Sequence, residues 1–495
     1  MKLREVICLA ALLAVACTPE TPDPTPDPVP ENMTLSASTL EASQSGETLY
    51  LTVTSPARPK VGGVPDWIKF TDGTFNHYKI TFSFQVSANN THETREAKLR
   101  ITANGLEDQI FTISQPGIPD SPSPEDGWES ASSAVRNMGA GWNLGNTLDS
   151  NSGDIDNMWI EAYSQRRTSD YETAWGQPVT TRALIHMFKD AGFGAIRVPV
   201  TWYPHIGTVT VNGKHWDMST WTGNDVDPAW MARVKEVVDY VIDEGLYCIL
   251  NVHHDTGAAP TAWLVASDAD FEAAKDRYES LWQQIANTFK DYGEHLLFES
   301  YNEMLDPLDS WCFASFAAPG SYDADVARSA YSGINRYAEL FTTTVRATGG
   351  NNAKRNLIVN TYGACSGDGT WNSHLIDPIK AIEIPEEPGH IAVQIHSYWD
   401  AEKFDTQKSD IDRLFSNIGE HLIGRLGVPV IIGEWGGGTG EDSENNVRFA
   451  TYFSQKAKES SVAAFWWMGL SDGADRSALA WTMPLTKDGI LKAYK

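Results

Sequence analysis

Two glutamates stand where apolar runs end: Glu303 in "LLFESYNEML" and Glu434 in "PVIIGEWGG". Other polar residues close similar runs. Arg197 sits in "AIRVPV", His253 and His254 in "NVHHD", Asn302 beside Glu303, and His396 and Tyr398 in "VQIHSYWD". His396 and Tyr398 are two apart, so on a strand they project the same way. Trp466 and Trp467 follow in "FWWMG". Two carboxylates flanking one pocket are the equipment of glycoside hydrolysis: one protonates the leaving oxygen while the other attacks the anomeric carbon or activates water. Either glutamate alone could be an ordinary salt-bridge partner. Both together, among Arg, His, Asn and Tyr, make that reading the weaker one. A metal site built from His253, His254 and Asp255 conflicts with the alternation of neighbouring side chains along a strand.

Such residues converge only if the runs that carry them lie side by side. Short apolar strands alternate with helical patterns from about residue 128 onward, as in "DPAWMARVKEVVDYVIDEGLYCILNVHHD". There Asp227 can cap, Pro228 suits the first helical position, Val234, Val237, Val238 and Val241 form one face, and Gly245 ends the helix. Strands buried on both faces and separated by helices make a parallel sheet, and about eight such units make a (β/α)8 TIM barrel, an α/β fold. Strands are expected near 139–145, 195–199, 246–252, 296–302, 356–361, 391–397, 428–433 and 462–467. A doubly wound open sheet is the rival topology, weakened by the lack of a glycine-rich phosphate fingerprint after the first strand. In a barrel the residues ending the strands share one face, which is where active sites form.

The chain has 495 residues, 41% of them hydrophobic, and a formal charge of −27. That charge repels nucleic-acid phosphates and excludes a nucleic-acid partner. Residues 1–17 read as an export signal of the lipoprotein type ending in "AVAC", with Cys17 the expected lipidation site. Residues 18–30 form a Pro-rich acidic spacer. Residues 31–117 alternate in period two ("ETLYLTVTS", "YKITFSFQVSA") and predict an all-β immunoglobulin-like sandwich in which Trp67 is core. A Pro/Ser/Asp-rich linker, 118–127, leads to the barrel at 128–495. The expected protein is exported, lipid-anchored at the bacterial outer membrane or cell surface through Cys17 alone, and monomeric. Cys248 reads as a small buried hydrophobe, and Cys312 and Cys365 could pair in an oxidising compartment.

Residues 128–495 resemble glycoside hydrolase family 5, in the retaining clan with the acid/base on strand 4 and the nucleophile on strand 7. The motifs "GWNLGNTLD", "IRVPVTW", "NVHHD", "YNEM", "HSYWD", "IIGEWG" and "FWWMG" fall in that family's order. Residues 31–117 are similar to the BACON module, through "VPDWIKF", "NNTHETREAKLRITA" and "FTISQPG". The first resemblance implies Glu303 as acid/base and Glu434 as nucleophile. It further implies Asn302 on the sugar 2-hydroxyl, Tyr398 bonded to the nucleophile, His396 near the acid/base, Arg197 keeping the nucleophile ionised and His253 lining the minus-one subsite. His254 is expected to contact substrate or support its neighbours, and Trp467, rather than Trp466, to stack on sugar.

The family needs no cofactor and retains configuration, so the carboxyl groups should lie about 5–5.5 Å apart. Met304 departs from the Pro common after the acid/base. "GWNLGNTLD" is expected to close the first strand rather than to do chemistry. The length beyond a typical barrel should lie in loops 148–178, 305–325 and 363–388. These loops and the strand ends carry Trp159, Trp175, Trp202, Trp263, Trp311, Trp371, Trp399 and Trp435, enough aromatics for several sugar subsites. The implied activity is a retaining endo-β-1,4-glucanase acting on a plant-type β-glucan. Xyloglucan, mixed-linkage glucan or β-mannan are alternative polymers, and a non-catalytic glycan-binding surface lipoprotein is the alternative of another class.

Overall fold

The computed structural model describes residues 28–117 (except 45, 90 and 92), 127–309, 322–367, 373–438, 441–467 and 473–495. The leader with Cys17, together with Trp311, Cys312 and Trp371, lies outside the described residues. Two compact units form, one β-rich and one containing the barrel.

In the N-terminal unit, Thr34–Leu35, Glu47–Thr54, Lys79–Val86 and Ile68–Thr71 make one four-stranded sheet. Thr39–Glu41, Gln109–Gln115, Arg95–Thr102 and Lys60–Gly62 make the other. Period-two alternation sends Leu51, Val53, Phe82, Phe84, Leu99, Ile101, Phe111 and Ile113 into one core. Trp67 packs partly buried against that core, as expected of it.

The second unit is a closed parallel barrel, which disposes of the open-sheet rival. Its strands, numbered one to eight, are Ala140–Asn143, Ala195–Val198, Tyr247–Asn251, Leu296–Glu299, Leu357–Asn360, Ile391–Tyr398, Val430–Gly436 and Ala463–Trp466. The helix Pro228–Asp243 forms as its sequence dictates. Asp227 accepts from the Ala229 N–H, Pro228 opens the first turn, the four valines are buried and Gly245 takes φ +72°.

Alternation along the strands builds the barrel interior in layers. Ala195, Ile249, Leu297, Ile358, Ala392, Ile431 and Phe465 share a buried apolar cluster with the helix Ala131–Met138. Two residues further along five of these strands, on the same side, stand Arg197, Asn251, Glu299, Asn360 and Gln394. Asn143 from strand one joins them, and all six are buried. The floor of the pocket is therefore polar above an apolar plug. Gly433 is the gap in this ring: a Cβ there would lie 2.4 Å from the Gln394 side chain, which fills the space instead.

One element was not anticipated. Ile206–Asn212 and His215–Val226 form a hairpin between strand two and its helix. Its sequence signal is the Asn212-Gly213 turn with Gly213 at φ +65°. Among the cysteines, Cys248 is buried and free, and Cys365 is disulfide-bonded to a partner outside the described residues.

Candidate active site

The pocket is organised by Arg197, which is fully buried and whose five N–H groups each have an acceptor. Nε donates to Glu299 Oε2 at 2.7 Å, and Nη2 donates to Glu299 Oε1 at 2.7 Å and to Asn302 Oδ1 at 2.8 Å. Nη1 donates to Glu434 Oε1 at 2.8 Å and to Asn143 Oδ1 at 3.0 Å. Burial alone would pull this guanidinium down, but the carboxylates of Glu299 and Glu434 reverse that and hold it charged.

Glu434 lies within strand seven, which runs three residues beyond its expected end, and a register shift against strand eight follows Ile432. Its Oε2 accepts from the Tyr398 hydroxyl at 2.7 Å, and His253 Nε2 stands 3.9 Å from Oε1. Burial would raise this carboxyl. The charges of His396 and Arg197 and the bonds from Tyr398 and Arg197 outweigh burial and leave it below the usual carboxylate range.

Glu303 has the opposite setting. Strand four ends at Glu299, earlier than expected, so Asn302 and Glu303 lie in the bend that follows. Burial raises the Glu303 carboxyl, and the negative charge of Glu434 adds to that; His396 and Arg197 offset only part. His396 Nδ1 lies 2.7 Å from Glu303 Oε1 and 3.5 Å from Glu434 Oε2, so one imidazole spans both acids. A carboxylate oxygen of Glu303, one of Glu434 and a His396 ring nitrogen all lie within 4.8 Å of one another.

Both histidines of "NVHHD" reach this region because strand three ends at Asn251 and alternation stops there. Asn251 Nδ2 meets His253 Nδ1 at 3.0 Å, and burial pulls His253 well below its ordinary range. The His254 ring lies against Trp175, centroids 5.3 Å apart, with its Nε2 3.9 Å from Asp149. Asp255 turns away: its carboxylate accepts from Trp263 Nε1 and the Trp202 N–H, and burial raises it to about 6. Asp149, which stands in its place beside the two histidines, accepts from the Asn146 and Thr147 backbone N–H groups and so ties its own turn.

Trp466 is buried edge-on against Trp435, as expected of a core residue, whereas the partly exposed Trp467 lies parallel to the His253 ring. Of the other tryptophans, Trp202 and Trp435 are fully buried packing residues, and Trp159, Trp263 and Trp399 pack partly buried on the core. Met304 is buried in the barrel core.

The expected residues that lie within the described region thus come together, with one correction and one omission. "GWNLGNTLD" does reach the site, because Asn143 bonds Arg197 and also donates to the Gly433 carbonyl at 2.8 Å. Glu299 is not among the expected residues because strand four is expected to run to 302, which places Glu299 in its interior, whereas the strand ends there. Its parity with Leu297, two residues back and facing the barrel interior, was the available signal.

Comparison with known proteins agrees with this geometry. The sequence model described as cellulase, glycosyl hydrolase family 5, matches residues 157–472, and the BACON model, an N-terminal binding domain, matches residues 60–116. Endoglucanase A of Clostridium longisporum is 32% identical over 389 residues, covering 74% of this chain and 66% of that enzyme. The cellulase/esterase of Acetivibrio thermocellus is 33% identical, covering 68% of this chain and 36% of its own. The chain thus spans less than two thirds of the length of both. Among solved structures, a broad-specificity endoglucanase from an uncultured bacterium is 47% identical with a TM-score of 0.65, covering 74% of this chain and 96% of that one. A family 5 enzyme of Prevotella bryantii, a mutant in complex with a xyloglucan tetradecasaccharide, is 36% identical with a TM-score of 0.61, covering 74% and 99%. With its barrel, its paired carboxylates and a family match across most of its length, this chain belongs to glycosyl hydrolase family 5.

Proposed function

We propose that the chain is a retaining endo-β-1,4-glucanase that cleaves a β-glucan by double displacement. The observation that carries this is the closeness of two carboxyl groups in opposite electrostatic settings, one oxygen of each lying within 4.8 Å of the other. Such a gap suits a nucleophile, which needs about 5–5.5 Å, and is short of the roughly 6.5–9.5 Å that leaves room for a water in inversion.

In the first step Glu303, the carboxyl that keeps its proton, gives it to the glycosidic oxygen. The bond from C1 to that oxygen breaks and a Glu434 oxygen bonds C1 from the opposite face. In the second step Glu303, now anionic, takes a proton from water. The water oxygen bonds C1, the ester to Glu434 breaks, and configuration is retained overall. Asn302, whose Oδ1 is held by Arg197, keeps its amide N–H groups for the sugar 2-hydroxyl. His253 and Trp467 line the ring on one side, with His254 and Trp175 further along.

The names and ligands of the relatives support a β-1,4-linked glucan. Xyloglucan is the second reading, favoured by the ligand of the Prevotella enzyme. The N-terminal sequence supports export and lipid attachment at Cys17. Loss of membrane fractionation in Cys17→Ala tests that part.

The activity is tested on a panel of soluble polysaccharides with wild type, Glu303→Gln and Glu434→Gln. Each variant should fold and lose at least about a hundredfold in activity, the scale of a missing acid–base group. A 2-fluoro cellobioside with a good leaving group should label the peptide carrying Glu434. Full hydrolysis by either variant, or label on another residue, would remove the assignment.

A further inference from the structure

The proposed chemistry uses two carboxylates and leaves a third, Glu299, without a task. Glu299 is fully buried in the barrel interior, so it cannot meet substrate. Four bonds converge on it. Arg197 Nε reaches Oε2, and Oε1 accepts from Arg197 Nη2, from Asn251 Nδ2 at 3.1 Å and from Asn360 Nδ2 at 3.2 Å. A planar guanidinium gripped through Nε and Nη2 has no rotational freedom left. Its remaining N–H groups must then point where the structure finds them: Nη1 at Glu434 and Asn143, Nη2 at Asn302.

We propose that Glu299 is a positioning residue that fixes the Arg197 fork and shares its positive charge, so that Glu434 and Asn302 are held for reaction without Glu434 being fully neutralised. This rests on reading Glu434 as the nucleophile. A bare Arg⁺ beside Glu434 would stabilise the anion more and blunt its attack on C1. An Arg⁺ already paired to a second carboxylate anchors the nucleophile while leaving the trio one negative charge in excess. Among the described residues, Arg197 is the charged group facing Glu299, and Asn251 and Asn360 complete its shell as neutral donors. Glu434 is faced by Arg197, His253, His396, Tyr398 and Glu303.

The test is the pH profile of kcat/KM on cellotetraose for wild type, Glu299→Gln and Glu299→Asp. The acidic limb of this profile reports ionisation of the nucleophile in the free enzyme. Glu299→Gln removes the shared charge, so Glu434 becomes more acidic. The limb should move to lower pH by about half a unit while the plateau of kcat falls at least about tenfold. KM should stay within about threefold, because the residue does not touch sugar. Glu299→Asp keeps the charge but withdraws it by one methylene: the limb should stay in place while kcat falls about fivefold or more.

A role in folding alone would lower the yield of active enzyme and leave the limb where it was. Folded Glu299→Gln with the limb unmoved, or moved upward, overturns the proposal. Should that variant not fold, unchanged kcat in Glu299→Asp overturns it. Glu434→Gln separates the two readings: if it stays active the nucleophile assignment itself falls, whereas an inert Glu434→Gln with an unmoved Glu299→Gln limb sinks only the role given to Glu299.

Discussion

The indole of Trp467 lies parallel to the imidazole of His253, ring centres 5.4 Å apart and planes 7° apart. The indole can sit there because residue 145 is glycine: a Cβ on Gly145 would lie 2.6 Å from Trp467 Cζ2 and Cη2. A fused ring cannot yield by rotating one bond, so Gly145→Ala must move the indole off its seat. The variant should raise KM for cellooligosaccharides about tenfold, near 1.4 kcal/mol, with a smaller effect on kcat. Trp467→Ala should do the same. Steady-state kinetics on cellotetraose checks both, and an unchanged KM in Gly145→Ala would show that the ring is not a sugar platform.

Tyr398 is about half exposed, yet its hydroxyl donates to Glu434 Oε2 at 2.7 Å. That bond stabilises the carboxylate over the acid, one of the effects that hold Glu434 below the usual range. Tyr398→Phe removes the bond and little else, so Glu434 should hold its proton to higher pH. The acidic limb of kcat/KM should move up, opposite to the direction expected for Glu299→Gln, with kcat reduced about ten- to a hundredfold. A limb that stays in place would mean that the hydroxyl serves the sugar rather than the carboxylate.

Much of this site was legible as strand ends. Arg197, Asn302, Glu303, His396, Tyr398 and Glu434 were each found by asking which polar residue closes an apolar run, because barrel closure converts that position into a shared face. The same rule is blind one layer lower. Glu299 and Asn143 face the interior short of the strand ends expected at 302 and 145, and only the period-two parity that they share with Leu297 and Gly141 marks them. The alternation argued against a metal site of His253, His254 and Asp255 lapses where strand three gives way to a turn after Asn251, so both histidines reach one region while Asp255 turns away. The hairpin after strand two was readable from its Asn-Gly turn, but its strands stand outside the barrel's alternation of helix and strand and were passed over.

A second buried arginine separates stability from catalysis. Arg355 places all five of its N–H groups on Asn352 Oδ1 and on the carbonyls of Phe289, Tyr292, Gly293 and Leu296, clamping the turn that enters strand four. Arg355→Met removes five donors at once, including those to the buried Phe289 and Leu296 carbonyls, and should cost about 1–3 kcal/mol, the scale of lost hydrogen bonds to a charged group. The barrel's melting transition should drop by several degrees, with kcat at 25 °C unchanged. A large fall in kcat at full folding would show that the clamp also sets the position of Glu303.

Glu303 should reveal a trade between activity and stability. Burial raises its carboxyl above the unfolded value of 4.5, and Glu434 adds to that rise. The native state therefore holds a proton that the unfolded chain releases, and folding gains from this group only at low pH. That gain is present below about pH 4.5 and is lost as pH climbs through the native value, so at neutral pH this group favours the unfolded chain, which ionises Glu303 freely in water. Glu303→Gln keeps the shape and removes the ionisable group. It should melt at higher temperature than wild type at pH 7, by the equivalent of about 1 kcal/mol, while losing its activity. Sign follows from the same linkage: the stability difference must shrink on acidification toward pH 4.5. Calorimetric melts across that range decide the matter, and a difference that widens in acid would mean that Glu303 is ionised in the resting enzyme and cannot supply the proton assigned to it.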